Sequence, residues 1–163
     1  MKQLQQGLSL LEVLVVVTIF AVLGILITQS IVLTLQGSKK SESIVRAREN
    51  LDYSLNVIER QIRNANSVIS CPNQYTINYL DQAGKTSSFT CVRPGLSGSY
   101  IASGSAHLTG DAVKIVSCSF TCTPETSVNL ALVKVDLTFK EASASAAQSA
   151  NVSASTQIYL RNY

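Results

Sequence analysis

Gly7-Leu8-Ser9-Leu10-Leu11-Glu12-Val13-Leu14-Val15-Val16-Val17 is the stretch that decides how the rest of this chain is read. Glu12 stands five residues after Gly7, at the head of an otherwise uncharged run from Val13 to Ser38. An acidic residue at mid-bilayer costs about 2.5–3.5 kcal/mol on insertion scales. Acids in membrane segments are rare and usually functional, so a chain that keeps one here has a use for it. The bland alternative is a carboxylate that only snorkels at the bilayer edge.

The region Leu8 to Leu35 suits the roughly 20 residues needed to span a hydrocarbon core of about 30 Å. It is too long and too apolar for a secretory h-region of about 7–15 residues, and no small-residue cleavage site follows it. The hydrophobic segment is therefore expected to stay in the protein as an anchor. Lys2 and the initiator amine favour an N-terminus inside, whereas Lys39 and Lys40 at the far end pull the other way. The four cysteines, all beyond the anchor, ask for an oxidising compartment. They decide for a cytoplasmic N-terminus and an extracytoplasmic C-terminal domain.

The segment from Met1-Lys2-Gln3-Leu4-Gln5-Gln6-Gly7 through Val17 closely resembles the class III signal of type IV pilins and type II secretion pseudopilins. The resemblance implies that a prepilin peptidase cuts between Gly7 and Leu8, that Leu8 becomes the methylated N-terminus, and that Glu12 is the family's assembly glutamate. Leu8 stands where the family usually has Phe or Met. It also implies the partners: other pilin or pseudopilin subunits, the peptidase, an inner-membrane assembly platform and the membrane itself. The chemistry is coherent. Gly7 puts no side chain in the way of a peptidase, and Leu8 and Glu12 fall on one helix face. A carboxylate in the first turn is favoured by the helix dipole, and pairing with a neighbour's amine removes most of the cost of a buried ion.

The helix does not stop at Gln36-Gly37-Ser38. Ile44, Leu51, Leu55, Ile58, Ile62 and Ala65 recur at spacings of seven, four, three, four and three, a single apolar stripe. Glu42–Arg46 and Glu59–Arg63 are acid-before-base pairs four apart, the better orientation. No proline lies between Met1 and Ser70, so one helix from about Leu8 to Asn66 is expected, with Gly24 and Gly37 as its weak points. Many members of the resembled family carry a kinking proline in the apolar half; this chain does not.

From Ser70 the composition turns to Thr, Val, Tyr, Ser and Gly. Strands are predicted at Tyr75–Leu80, Thr86–Val92, Tyr100–Ala102, Ala112–Phe120, Val128–Phe139 and Val152–Leu160. Asp81 to Lys85 forms a hairpin loop with Gly84 for positive φ. In Ala112–Phe120, Val113, Ile115 and Ser117 are placed on one face. An Ala/Ser-rich loop is expected from Glu141 to Ser149. Strands following a helix in antiparallel order predict an α+β fold, a long N-terminal helix on a C-terminal antiparallel sheet. The expected divisions are a leader at 1–7, an assembly helix at 8–35, its amphipathic continuation at 36–66 and a β-rich head at 67–163.

Cys71, Cys91, Cys118 and Cys122 allow three disulfide connectivities. The favoured one joins Cys71 to Cys91 across the first hairpin and Cys118 to Cys122 around a small loop. A zinc site is the rival, but only one tight pair is present and His107 is isolated. A redox C-x-x-C is absent. Asp111, Glu125 and Asp136 are scattered and make no calcium loop, and Gly95-Leu96-Ser97-Gly98 reads as a turn. No catalytic residue, metal site or cofactor is assigned, and the chain is read as a structural subunit rather than an enzyme.

The ending Thr156-Gln157-Ile158-Tyr159-Leu160-Arg161-Asn162, with Leu108 to Ile115 and Glu59 to Ala65, resembles minor pseudopilins of the J and W types. That points to a minor pilin or pseudopilin, with the major, shaft-forming subunit as the rival. The net charge of +3 neither demands nor excludes nucleic acid. A DNA-binding competence pilin remains the other alternative, with Arg46, Arg48, Arg60, Arg63 and Arg93 as phosphate contacts, although on the helix these alternate with acids.

Overall fold

The computed structural model describes residues 9–123, 131–142 and 149–160. It divides into two compact units, Met1–Lys39 and Lys40–Tyr163. One helix, α1 (Leu10–Arg63), runs without interruption through Gly24, Gly37 and the boundary between the units. Eight strands follow: β1 (Ser67–Asn73), β2 (Thr76–Leu80), β3 (Thr86–Val92), β4 (Tyr100–Ser103), β5 (Ala106–His107), β6 (Val113–Thr123), β7 (Leu132–Glu141) and β8 (Val152–Tyr159). The architecture is α+β, as the order of the sequence patterns predicts.

In the first unit every described residue is exposed, and the apolar run is long enough to cross a membrane. Its threonine hydroxyls are satisfied within the helix. Thr18 donates to the Val15 carbonyl at 2.8 Å, Thr28 to Gly24 at 2.8 Å and Thr34 to Ser30 at 2.9 Å. Back-bonding of this kind lets a polar side chain sit in hydrocarbon without an orphaned donor.

In the second unit the strands form two antiparallel sheets rather than one. β1 to β5 lie in sequential order in a five-stranded sheet, and β6, β7 and β8 form a three-stranded sheet. Both sheets share one core with the helix. Leu51, Leu55, Ile58 and Ile62 meet Ile77, Phe89 and Ile101 of the first sheet and Ile115, Val133, Val135, Leu137 and Phe139 of the second. The apolar stripe therefore docks as its spacing predicts, but its upper end differs. Ser43 and Ala47 are buried while Ile44 is only half-buried. Small side chains thus carry the buried face there, and the Ser43 hydroxyl finds no partner among the described residues.

Strand alternation holds for β7, where Val133, Val135, Leu137 and Phe139 are all buried. It breaks in β6. A register shift between Ile115 and Ser117 inserts an extra residue, so Ser117 turns outward and Cys118 and Phe120 turn inward. A bulge flips every side chain that follows it, which corrects the expectation that Ser117 shares a face with Val113 and Ile115. Glu141, expected in a loop, ends β7. Residues 128–130 of the predicted strand and 143–148 of the Ala/Ser-rich loop lie outside the described residues. The Asp81 hairpin is as expected. Gly84 has φ 75°, and Asp81 Oδ1 accepts from the Ala83 and Lys85 amides at 2.9 Å each.

Truncating Ile58, fully buried on α1, to alanine should cost about 2–5 kcal/mol. The exposed Val45→Ala should stay within about 0.5 kcal/mol. Denaturant titration of the detergent-solubilised chain measures both, and equal losses would show that this face of the helix does not carry the core.

Candidate functional site

Glu12 lies in the first turn of α1 and is exposed. The turn is closed by backbone bonds from the Glu12 and Val13 amides to the Ser9 carbonyl, at 2.9 and 3.2 Å. Glu12 is the single charge between Ser9 and Ser38, presented on a helix that nothing in its own unit covers. Gly7 and Leu8 lie outside the described residues.

The cysteines form two disulfides, and the pairing differs from the expected one. Cys71 bonds Cys122 and Cys91 bonds Cys118, with Cα separations of 6.0 and 6.4 Å. Sheet order explains why. Cys71 is on β1 and Cys91 on β3, with β2 between them, so their backbones are about 9–10 Å apart. Cys118 and Cys122 share strand β6, where four residues span about 13 Å. Neither distance fits a bridge, which needs Cα atoms within about 7 Å. Both β6 cysteines instead reach across to the other sheet, so β6 is fastened to β1 and to β3. All four sulfurs are consumed, leaving no thiolate for the zinc or redox alternatives.

The junction held by these bridges is further tied by backbone bonds. The Phe120 amide donates to the Gln74 carbonyl at 2.8 Å, Cys91 to Tyr75 at 2.8 Å and Gly95 to Ile115 at 2.8 Å. Buried Ser99 adds its hydroxyl as acceptor for the Ile115 amide at 2.8 Å.

Asp136 projects from the outer face of β7. Sequence reasoning dismissed it as scattered, although the alternation of β7 already places it outward. A hydrogen bond from Ser155 chiefly holds its carboxyl below the usual aspartate value, opposed by partial burial and helped by Lys134 and Ser119. Lys134 Nζ lies 3.1 Å from Asp136 Oδ2, and the Ser119 hydroxyl 3.4 Å from the same oxygen. At the end of α1, the Tyr79 hydroxyl donates to Gln61 Oε1 at 2.6 Å, and burial pushes this phenol upward.

Two of the five candidate arginines are engaged by carboxylates. Arg46 is bound to Glu42 and lies 3.8 Å from Glu141, and Arg63 is bound to Glu59. His107 is exposed and stacks on Tyr100 with ring centroids 3.8 Å apart. Among the described residues no group of three His, Cys, Asp or Glu side chains is placed to hold a metal ion.

Residues 2–28 match the family described as the prokaryotic N-terminal methylation motif. The match takes in Gly7, Leu8 and Glu12 and ends well before the sheets begin. No curated protein and no solved structure matches the chain. The chain thus carries a prepilin-type N-terminal motif on a pilin-like α+β fold.

Two measurements check this geometry. Peptide mapping without reduction should recover Cys71 linked to Cys122 and Cys91 linked to Cys118; a Cys71–Cys91 peptide would refute the junction. Breaking either bridge should cost about 2–4 kcal/mol. The second concerns acid. Because the folded-state pKa of Asp136 is depressed, its contribution is complete above the ordinary unfolded aspartate value of about 3.9 and is lost as pH falls through the folded value. The stability gap between wild type and Asp136→Asn should therefore narrow as pH falls below the ordinary aspartate value of about 3.9, and a gap unchanged by pH would contradict the assignment.

Proposed function

We propose that this protein is a structural, non-enzymatic subunit of a type IV pilus or a type II secretion-like filament, occupying a minor position of the J or W type. The observation that carries the reading is Glu12, a lone carboxylate at the start of a helix exposed on every side through Ser38, within a matched methylation motif. The chain is made as a membrane precursor with residues 1–7 as leader. It is cut after Gly7 by a prepilin peptidase and methylated on Leu8. Residues 8–35 then move from lipid into a bundle of like helices, where helix packing replaces lipid contacts and Glu12 meets a neighbouring subunit's N-terminal amine. Residues 36–66 continue the helix into the head, and 67–163 form the extracytoplasmic domain that the filament presents.

The minor position rests on the absence of a kinking proline from the apolar half and on the sequence of the helix end and closing strand. DNA capture is the weaker reading, because Arg46 and Arg63 are already engaged by carboxylates and a phosphate would have to displace them.

Paired variants test the proposal in cells that assemble the filament. Gly7→Trp should accumulate uncut precursor in the membrane. Glu12→Val should be cut normally yet be depleted from sheared filaments by at least about tenfold, the scale of leaving one buried charge without its partner. Normal maturation of the first variant, or wild-type incorporation of the second, would overturn it.

A further inference from the structure

Among the clefts of the head, one of about 290 Å³ lies where the two sheets are fastened together. Its floor is polar. The β6 bulge turns Ser117 and Ser119 to the outer face, beside Asp136 on the neighbouring strand β7. Its opposite wall is Tyr75, about a third exposed, with Pro94 and the Gln74 side chain. Aromatic ring, proline ring, amide, hydroxyls and one carboxylate thus converge from four separate segments.

The walls are fixed before any ligand arrives. Cys91–Cys118, whose Cys118 lines the cleft, fastens β3 to β6, and Cys71–Cys122 fastens β1 to the same strand. The Gln74 and Tyr75 carbonyls are both held by backbone donors, and the Tyr75 amide donates to Asn73 Oδ1 at 2.8 Å. Such rigidity lowers the ordering cost of binding. The larger cleft at the end of α1, about 530 Å³, has the Arg60 and Asp81 charges at its lining, and its tyrosine is buried. It offers no exposed ring for a ligand to lie on.

Charge selects the ligand class. Asp136 is the one ionisable side chain at the floor and is already paired with Lys134, so the floor offers no net charge for an anion to recognise. A cation would have to displace Lys134, already 3.1 Å away. A neutral polyol satisfies both surfaces, giving hydroxyl donors to the carboxylate and serines and a C–H face to Tyr75 and Pro94. The volume is at the small end of ligand sites, about 300–1,000 Å³, and suits a sugar ring or a disaccharide. We propose that the cleft between Tyr75 and Asp136 is a binding site for neutral saccharide.

The test uses the folded full-length chain in a detergent without a sugar headgroup, isotope-labelled for NMR. Lactose, maltose and diacetylchitobiose are titrated separately into the millimolar range. At least one should produce saturable shifts at the Gln74, Tyr75, Ser117 and Ser119 amides. Its affinity should fall by at least about tenfold in Asp136→Asn and in Tyr75→Ser, as expected for losing a charge-assisted hydrogen bond or an aromatic face. No saturable shift with any of the three, shifts confined to other residues, or unchanged affinity in the variants would overturn the proposal. Should Asp136→Asn fail to fold, Tyr75→Ser, at an exposed position, decides alone. Tyr75→Ser should still be cut and incorporated into filaments, so failure here and failure of the assembly reading are separately visible.

Discussion

The apolar surface of α1 between Leu10 and Leu35 is uncovered in its own unit, and that imbalance constrains how the chain can exist. At about 25 cal/mol per Å² of apolar surface, a helix of this length exposed on every side would not remain free in water. It needs lipid or other helices, and both environments exclude an isolated ion. On the proposed reading, Glu12 turns the second requirement into a selection rule. Lipid alone leaves the carboxylate without a counter-charge, whereas a bundle that brings a positive end to it does not. The threonines of the same segment bond to their own backbone, and Glu12 is its one charged side chain.

In the head, strand β6 has a comparable organising role. It is paired to β7, bridged to β1 and β3, accepts a hydrogen bond from the Gly95 turn and donates one to Ser99. Two small sheets with separate hydrogen-bond networks are thereby made to share one core under one helix. Closing loops of sequence separation 51 and 27 restricts the unfolded chain strongly, which matters for a domain whose core is modest.

Much of this was legible in the sequence where a single period governs. The stripe Leu51, Leu55, Ile58, Ile62 follows helical spacing, and Val133 to Phe139 follows strand spacing, so each predicted its own buried face. The α1 boundaries were displaced by a few residues only. What escaped depends on long-range geometry. The disulfide pairing follows from the order of strands in space, which spacing along the chain does not encode. The Ser117 error came from one inserted residue, invisible to alternation until the partner strand is known. Ser43 and Ala47 were overlooked because a search for large apolar side chains passes over small residues that are nonetheless buried. The cleft beside Asp136 is assembled from segments far apart in sequence, and its residues are individually ordinary.

Neither disulfide includes a residue of α1. The two sheets are covalently locked to each other, whereas among the described residues the helix packs on them through Leu51, Leu55, Ile58 and Ile62 and through polar contacts such as Gln61 with Tyr79. Any pulling force transmitted through the anchor enters the head along that helix. Under tension the weak plane is therefore the helix–sheet seam, and the cross-linked sheets would peel from the helix as one intact piece, still tethered to it by the chain that leads into β1.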